Sequence, residues 1–139
     1  MKALFKKLLP VFLINWYHKL LAYSARLIYN NPSGKLIVIG VTGTNGKSTT
    51  VNLIGQILEE TGNNVGFTTT ANFKVAKKEW LNDKKMTLAG RFFTQSMLNK
   101  MVKHNCRYAV VETTSQGIEQ YRHQFINYDI LIFTGLYPE

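Results

Sequence analysis

A glycine-rich turn between an apolar run and a polar stretch constrains this 139-residue chain more than any other feature. Residues 38–50 read VIGVTGTNGKSTT, with glycines at positions 40, 43 and 46. Glycines let the backbone turn sharply and approach a ligand without an intervening Cβ. The first N–H groups of a helix are unpaired and lie at the positive end of its dipole, so they favour phosphate. The stretch therefore predicts a phosphate-binding loop between a strand and a helix.

The residues of this loop predict how it binds a nucleotide and a metal. Lys47 is expected to reach the outer phosphates, and the Ser48 hydroxyl to take a place on Mg²⁺. The predicted nucleotide-binding set is Gly43, Thr44, Asn45, Gly46, Lys47, Ser48 and Thr49. The glycine spacing differs from the common phosphate loop, since Val41 stands where that loop has its first glycine.

The pattern around the loop predicts alternating strands and helices. Strands are expected in KLIVIGV, NVGFTTT, RYAVVE and YDILIFTG, and helices in GKSTTVNLIGQILEETG and RFFTQSMLNKMVKHN. The segment KVAKKEWLNDKK is expected to be a loop or a small hairpin. The helices are expected to bury Val51, Ile54, Ile57 and Leu58, and Phe93, Met97, Met101 and Val102. Such alternation with short connections predicts a parallel sheet with right-handed crossovers.

The spacing of apolar residues and a turn cluster set the first 34 residues apart from the rest of the chain. Residues 3–29 carry apolar side chains at helical spacing with Lys6, Lys7, Lys19 and Arg26 between them, and NNPSG at residues 30–34 marks the boundary. Pro10 is expected to start or kink the helix. Three interpretations remain open: a helix packed on protein, a helix on a membrane surface, or a cleaved or spanning segment. The uninterrupted apolar run is much shorter than the ~20 residues of a spanning helix.

The net charge indicates which kinds of partner suit the chain, and the cysteine content indicates the compartment. The net charge is +9, and no Asp or Glu precedes Glu59. This balance favours anionic partners such as nucleotides, phosphorylated substrates or an acidic membrane face. A nucleic-acid partner is not expected, because aromatic residues are not interleaved with basic ones as a stacking platform. Cys106 is the only cysteine, which fits a reducing compartment.

Four stretches together resemble one family. The loop G-x-x-G-T-N-G-K-S resembles the signature of the Mur ligases, the ATP-dependent amide-forming ligases of peptidoglycan synthesis and their relatives. YAVVETTSQGIEQYRH, ILIFTGLYPE and KMTLAGRFFTQSML resemble further parts of the family's central domain. The resemblance covers residues 35–139 and is strongest to the muramyl-tripeptide synthetase branch. It implies an α/β fold with a P-loop NTPase-like parallel sheet flanked by helices, here the front part of the domain, preceded by an amphipathic helix at residues 1–34.

The resemblance also implies a reaction and the residues that serve it. A substrate carboxylate would be activated by ATP as an acyl phosphate, and an amino acid would attack it to extend a UDP-N-acetylmuramyl-peptide. Lys47 and Glu112 are implied as catalytic, and Ser48 and Glu112 as magnesium ligands. Implied substrate contacts are Thr87, Thr114, Gln120 and Arg122. The sequence departs from the family at Leu88, Gln116 and Gly135, where the family has threonine, often histidine, and asparagine.

Other functions compete with this one. Folylpolyglutamate, poly-γ-glutamate and cyanophycin synthetases share the loop, and a non-catalytic ATP-binding module would share it too. We expect a piece of a longer ligase that binds nucleotide but makes no product alone. A cytoplasmic location is expected, with peripheral contact at the inner face of the membrane through residues 3–29 as a further option.

Overall fold

The computed structural model describes residues 11–84, 87, 88 and 90–137. Its helices are α1 (Val11–Ile28), α2 (Lys47–Glu60), α3 (Arg91–Lys103) and the short α4 (Ser115–Glu119). A 3₁₀ turn spans Pro32–Lys35. The strands are β1 (Ile37–Thr42), β2 (Val65–Thr68), β3 (Asn72–Val75), β4 (Lys78–Leu81), β5 (Tyr108–Glu112) and β6 (Ile130–Phe133). The predicted alternation of strands and helices is confirmed.

The strands form one sheet in the order β4-β3-β2-β5-β1-β6. The pairs β2–β5, β5–β1 and β1–β6 are parallel, and the pairs β2–β3 and β3–β4 are antiparallel. The parallel core of the predicted sheet is therefore confirmed. Since the parallel strands share one direction, the residues that follow β1, β2, β5 and β6 meet at one edge, where open α/β sheets bind ligands.

The segment KVAKKEWLNDKK, predicted as a loop or a small hairpin, is a hairpin. Its strands β3 and β4 pair antiparallel, with Val75 opposite Lys78. Ala76 turns between them with a φ of 52°, in the left-handed region. The hairpin extends the sheet beyond β2 and leaves Leu81 exposed at its outer edge.

Two apolar clusters cover the two faces of the sheet. On one face, α3 buries Met97, Leu98 and Met101. On the other face, α2 buries Val51 against β1, β2 and β5. The buried face predicted for α3 is confirmed. The prediction that α2 buries Ile57 is wrong, because the Ile57 side chain is 63% exposed. At 3.6 residues per turn Ile57 lies six positions after Val51, about 240° further round the helix, so it turns away from the sheet.

Helix α1 packs against α3 through small residues, with Ala22 and Ala25 almost completely buried. The Tyr23 ring also meets the edge of the Phe125 ring, with centroids 5.5 Å apart. Residues 3–10 of the predicted helix lie outside the described residues. At the expected boundary the backbone turns at Asn30 and Asn31, which have φ values of 57° and 47°. Within the described part of the chain, no helix combines the length and hydropathy needed to cross a membrane.

Candidate functional site: a glycine loop beside a buried glutamate

The glycine-rich loop lies between β1 and α2, as predicted. Gly43 and Gly46 have φ values of 136° and 79°, which other residues rarely adopt. Gly46 is the N-cap of α2, and Lys47 begins the helix. Above Gly46 there is open space, since a Cβ built there would meet no atom within 4 Å. The loop therefore leaves open space beside the start of a helix, where unpaired N–H groups favour phosphate.

Lys47 folds back over this loop. Its Nζ donates to the backbone oxygens of Gly43 at 2.8 Å and Thr44 at 3.0 Å. An ammonium group has three donors, and these bonds use two of them. The positive charge thus lies against the loop itself, beside the space that a phosphate would occupy.

The loop is held from outside by the residues after β6. The Thr44 N–H donates to the Gly135 oxygen at 3.0 Å, and the Thr134 hydroxyl donates to the Asn45 oxygen at 2.7 Å. A Cβ at Gly43 would come within 2.2 Å of the Thr134 hydroxyl oxygen. This role of Thr134 and Gly135 was not predicted. The available signal was their position at the end of a predicted strand, but the pairing of that strand with β1 is seen only in the structure.

Glu112 lies across from the loop at the end of β5. The register pairs it with Val41 on β1, and its side chain is only 2% exposed. The Ser48 hydroxyl donates to its Oε2 at 2.7 Å. The two residues predicted to share a metal are therefore in direct contact.

Thr70, which the sequence analysis did not select, completes the surroundings of this carboxylate. Its N–H donates to Oε2 of Glu112 at 2.9 Å, and its hydroxyl donates to Oε1 at 3.1 Å. The Thr70 hydroxyl also lies 2.5 Å from that of Thr87, a predicted substrate contact. The available signal was the triplet Thr68–Thr70 at the end of a predicted strand, but the pairing of that strand with the one that carries Glu112 is seen only in the structure.

The Ser48–Glu112 pair fits a magnesium ion. Mg²⁺ binds oxygen ligands at 2.0–2.1 Å in an octahedron, so neighbouring ligand oxygens lie about 2.9 Å apart. The observed separation of 2.7 Å is close to that value. Within the described residues there is no cluster of three acidic, histidine or cysteine side chains that could hold a metal. A site with one carboxylate and one hydroxyl suits Mg²⁺, which usually takes its other ligands from substrate phosphates and water.

Gln120 and Arg122 lie next to each other after α4. Arg122 donates to the Gln120 side-chain oxygen at 2.5 Å and to the Leu88 backbone oxygen at 2.7 Å. Arg91, which the sequence analysis did not select, donates to the Gln120 backbone oxygen. Burial, and then the charge of Arg122, lower the pKa of the Arg91 guanidinium. Two cationic side chains thus converge on one glutamine.

Leu88 occupies a core position rather than a place in the site. Its side chain is 2% exposed and belongs to the apolar cluster under α3. A Cβ built on Gly117 would lie 3.0 Å from Cδ2 of Leu88, so the Leu88 side chain packs closely against α4. At the position where the family has threonine, this side chain is therefore used for packing.

A cleft of about 680 Å³ lies beside the loop, and Gly43, Thr44 and Lys47 of the predicted set line it. Thr114 lines it, and its hydroxyl also caps α4 by accepting from the Gly117 N–H at 3.1 Å. Gln116 lines it from α4. The Thr44 hydroxyl accepts from the Tyr137 N–H at 3.2 Å. Asn45 and Thr49 are exposed.

Hydrogen bonds and one step along the backbone connect the loop with Arg122. The hydrogen bonds run from Ser48 through Glu112 and Thr70 to Thr87, and the next residue, Leu88, accepts from Arg122 through its backbone oxygen. The residues predicted to bind phosphate and those predicted to bind substrate therefore lie near one another.

A family model and the curated proteins that match this chain agree with one another. The model of the Mur ligase middle domain matches residues 41–139. A UDP-N-acetylmuramyl-tripeptide synthetase of Roseiflexus sp. (strain RS-1) is 33% identical over 121 residues, which cover 86% of this chain and 24% of the relative. A UDP-N-acetylmuramoyl-L-alanyl-D-glutamate–2,6-diaminopimelate ligase of Geobacillus kaustophilus (strain HTA426) is 32% identical over 127 residues, or 91% of this chain and 26% of the relative.

A solved structure agrees with these relatives. It is that of a UDP-N-acetylmuramoyl-L-alanyl-D-glutamate–2,6-diaminopimelate ligase, with a TM-score of 0.68 and 25% identity over 75% of this chain and 20% of that chain. The chain spans about a quarter of the length of the curated relatives it matches. Because the middle-domain model matches well over half of its residues, the chain belongs to the Mur ligase family.

Proposed function

We propose that this chain carries the nucleotide-binding part of an ATP-dependent ligase of peptidoglycan synthesis. The complete enzyme would add an amino acid to a UDP-N-acetylmuramyl-peptide on the cytoplasmic side of the membrane. Residues 35–139 would be the front part of its central domain. One observation carries the proposal: Ser48 of the glycine loop contacts the buried Glu112, with Lys47 next to it.

The loop residues would bind and orient the phosphates of ATP. The N–H groups at the start of α2 would bind phosphate, and Lys47 would exchange its bonds to the Gly43 and Thr44 oxygens for bonds to phosphate. Transfer of the γ-phosphoryl group to a carboxylate brings two anions together, so positioning and positive charge contribute more than proton transfer. Lys47 supplies that charge from the chain itself.

Ser48 and Glu112 would hold Mg²⁺, which supplies further positive charge to the transferring phosphoryl group. The N–H and hydroxyl of Thr70 already fix the Glu112 carboxylate in place. Thr70 therefore acts as a positioning residue, because it holds the carboxylate without contacting the phosphates itself.

The arginine pair would bind the acceptor. Arg122 presents a planar guanidinium, whose paired donors match a carboxylate or a phosphate. Arg91 adds a second positive charge beside Gln120. Thr87 contacts Thr70, and Thr114 lines the cleft beside the loop, so a substrate held by the arginines would extend past these threonines towards the nucleotide.

The experiment is a product assay of the complete protein that carries this domain. Purified enzyme is given ATP, Mg²⁺, a UDP-N-acetylmuramyl-dipeptide and each amino acid in turn, and the products are identified by mass spectrometry. The proposal expects one amino acid to yield an amide together with ADP and phosphate. Folate and poly-γ-glutamate acceptors test the related ligases. Amide formation on one of those acceptors alone, or ATP binding without any product, would contradict the proposal.

A further inference from the structure

Helix α1 has two chemically different faces. The inner face packs on α3 through Ala22 and Ala25, which are 1% and 0% exposed. The outer face consists of six large apolar or aromatic residues, each between 44% and 70% exposed: Phe12, Leu13, Trp16, Leu20, Tyr23 and Leu27. At 100° per residue these six fall within a sector of about 100°, opposite the alanines. Small side chains therefore dock the helix, and the large ones point to the outside.

This outer face is continuous along the whole helix. Monomeric soluble proteins rarely expose so long an apolar surface without a binding role. The inner face already provides the contact between α1 and the domain, so packing on the described part of the chain does not explain the outer residues. Tyr23 contacts Phe125 only by its ring edge and remains 45% exposed.

Charge indicates which partner suits this face. Residues 1–58 contain seven lysines and arginines and no acidic residue. Lys19 and Arg26 lie along one border of the outer face, where Lys19 is exposed. Two copies meeting through this face would bring these cations together. An anionic surface with an apolar interior would instead satisfy both the charges and the aromatic side chains.

The residue types fit a bilayer surface in particular. Tryptophan and tyrosine favour the boundary between headgroups and acyl chains, and Trp16, Tyr17 and Tyr23 are all exposed on α1. A helix with an apolar face and a basic border, and without the hydropathy of a spanning segment in its described residues, suits the plane of the interface. Each lysine or arginine near an anionic surface contributes about 1 kcal/mol of attraction.

We propose that the outer face of α1 docks onto an anionic phospholipid bilayer, while the inner face holds the domain against the helix. Both interpretations of residues 3–29, packing on protein and contact with a membrane, are thereby combined in one helix. The proposal depends only on α1 and is independent of the proposed ligase activity.

The test is co-sedimentation of the 139-residue chain with vesicles of phosphatidylcholine and phosphatidylglycerol at 3:1, and with phosphatidylcholine alone. We expect binding to the anionic vesicles that weakens as salt rises. The double variant Trp16→Ala/Leu20→Ala should have a partition coefficient at least about tenfold lower, because it removes two inserted side chains. The matched control is Leu53→Ala/Ile57→Ala on α2, where two similarly exposed apolar residues lie outside this face. Circular dichroism checks that each variant is folded.

A second measurement identifies the inserted residue. In a Trp80→Phe variant Trp16 is the remaining tryptophan, and lipids brominated on their acyl chains should quench its fluorescence. Absence of binding to anionic vesicles at low salt would overturn the proposal, as would equal loss of binding in the α2 control. A concentration-dependent dimer that the Trp16→Ala/Leu20→Ala change abolishes, in the absence of vesicle binding, would assign the face to a second copy instead.

Discussion

Ser48 donates a hydrogen bond of 2.7 Å to Glu112 and so joins the first turn of α2 to the carboxyl end of β5. The same carboxylate oxygen accepts from the Thr70 N–H at 2.9 Å. One buried anion therefore connects the glycine loop, the central strand and the end of β2. In the proposed account this contact marks the place of the metal.

The first prediction concerns the charge of Glu112. Glu112→Gln keeps the size of the side chain but removes the negative charge that would attract Mg²⁺. Nucleotide binding should lose its dependence on Mg²⁺, and kcat of the complete enzyme should fall at least about 100-fold. Calorimetry at varied Mg²⁺ concentration and a turnover assay measure these effects. Glu60→Gln, an exposed change at the end of α2, is the control. An unchanged Mg²⁺ dependence in Glu112→Gln would contradict the assignment.

The second prediction compares two glycines of the loop. At Gly43 a methyl group would meet the Thr134 hydroxyl at 2.2 Å and the Gly135 oxygen at 2.9 Å, at a φ of 136°. Gly43→Ala should therefore lower the free energy of unfolding by about 3 kcal/mol or more. Gly46→Ala adds a methyl group into open space and should cost only about 1 kcal/mol for its left-handed backbone. Urea unfolding of both variants tests the order, and equal losses would show that residues 134–135 do not brace the loop.

Much of this site could be predicted from local sequence. The loop between a strand and a helix requires glycines followed by Lys47 and Ser48, and that pattern is contiguous. Glu112 could be assigned because an apolar strand ends in a carboxylate where parallel strands share an edge. Both predictions used only residues that are adjacent in the sequence.

The missed residues depend on contacts between distant segments. Thr70 reaches Glu112 across 42 positions, and Thr134 reaches Asn45 across 89. Their roles follow from which strands pair, and a single sequence does not specify strand order. Ile57 was misassigned for a related reason, since apolar spacing on α2 does not specify how wide a face the sheet covers.

The third prediction concerns acceptor binding by Arg122. Arg122→Lys keeps the charge but loses the paired donors that contact Leu88 and Gln120. In the complete enzyme we expect KM for the muramyl-peptide acceptor to rise about tenfold, with little change in KM for ATP. Steady-state kinetics with each substrate varied separately gives the two values. Arg107→Lys, at an exposed arginine outside the site, is the control. Equal changes in both KM values would remove Arg122 from the acceptor side.

The fourth prediction concerns pH and the buried Cys106. Burial raises the pKa of its thiol, so the unfolded chain releases the thiol proton at a lower pH than the folded chain does. The stabilisation is complete below the ordinary thiol pKa of about 8.5 and is lost as pH rises through the higher folded value. The free energy of unfolding should therefore decrease as pH rises above the ordinary thiol pKa, and in Cys106→Ala it should decrease less steeply. The same pH dependence of the free energy of unfolding in wild type and in Cys106→Ala would contradict this role of Cys106.

The central claim, that the glycine loop binds the phosphates of ATP, is tested most directly by calorimetric titration of Mg-ATP into the folded chain. Wild type and Lys35→Ala, which removes an exposed lysine outside the loop, should bind with equal affinity. Lys47→Ala should bind about 10- to 100-fold more weakly, because it loses charge-assisted bonds to phosphate. Circular dichroism should show the same fold for all three proteins. Equal affinity of Lys47→Ala and wild type would contradict the account.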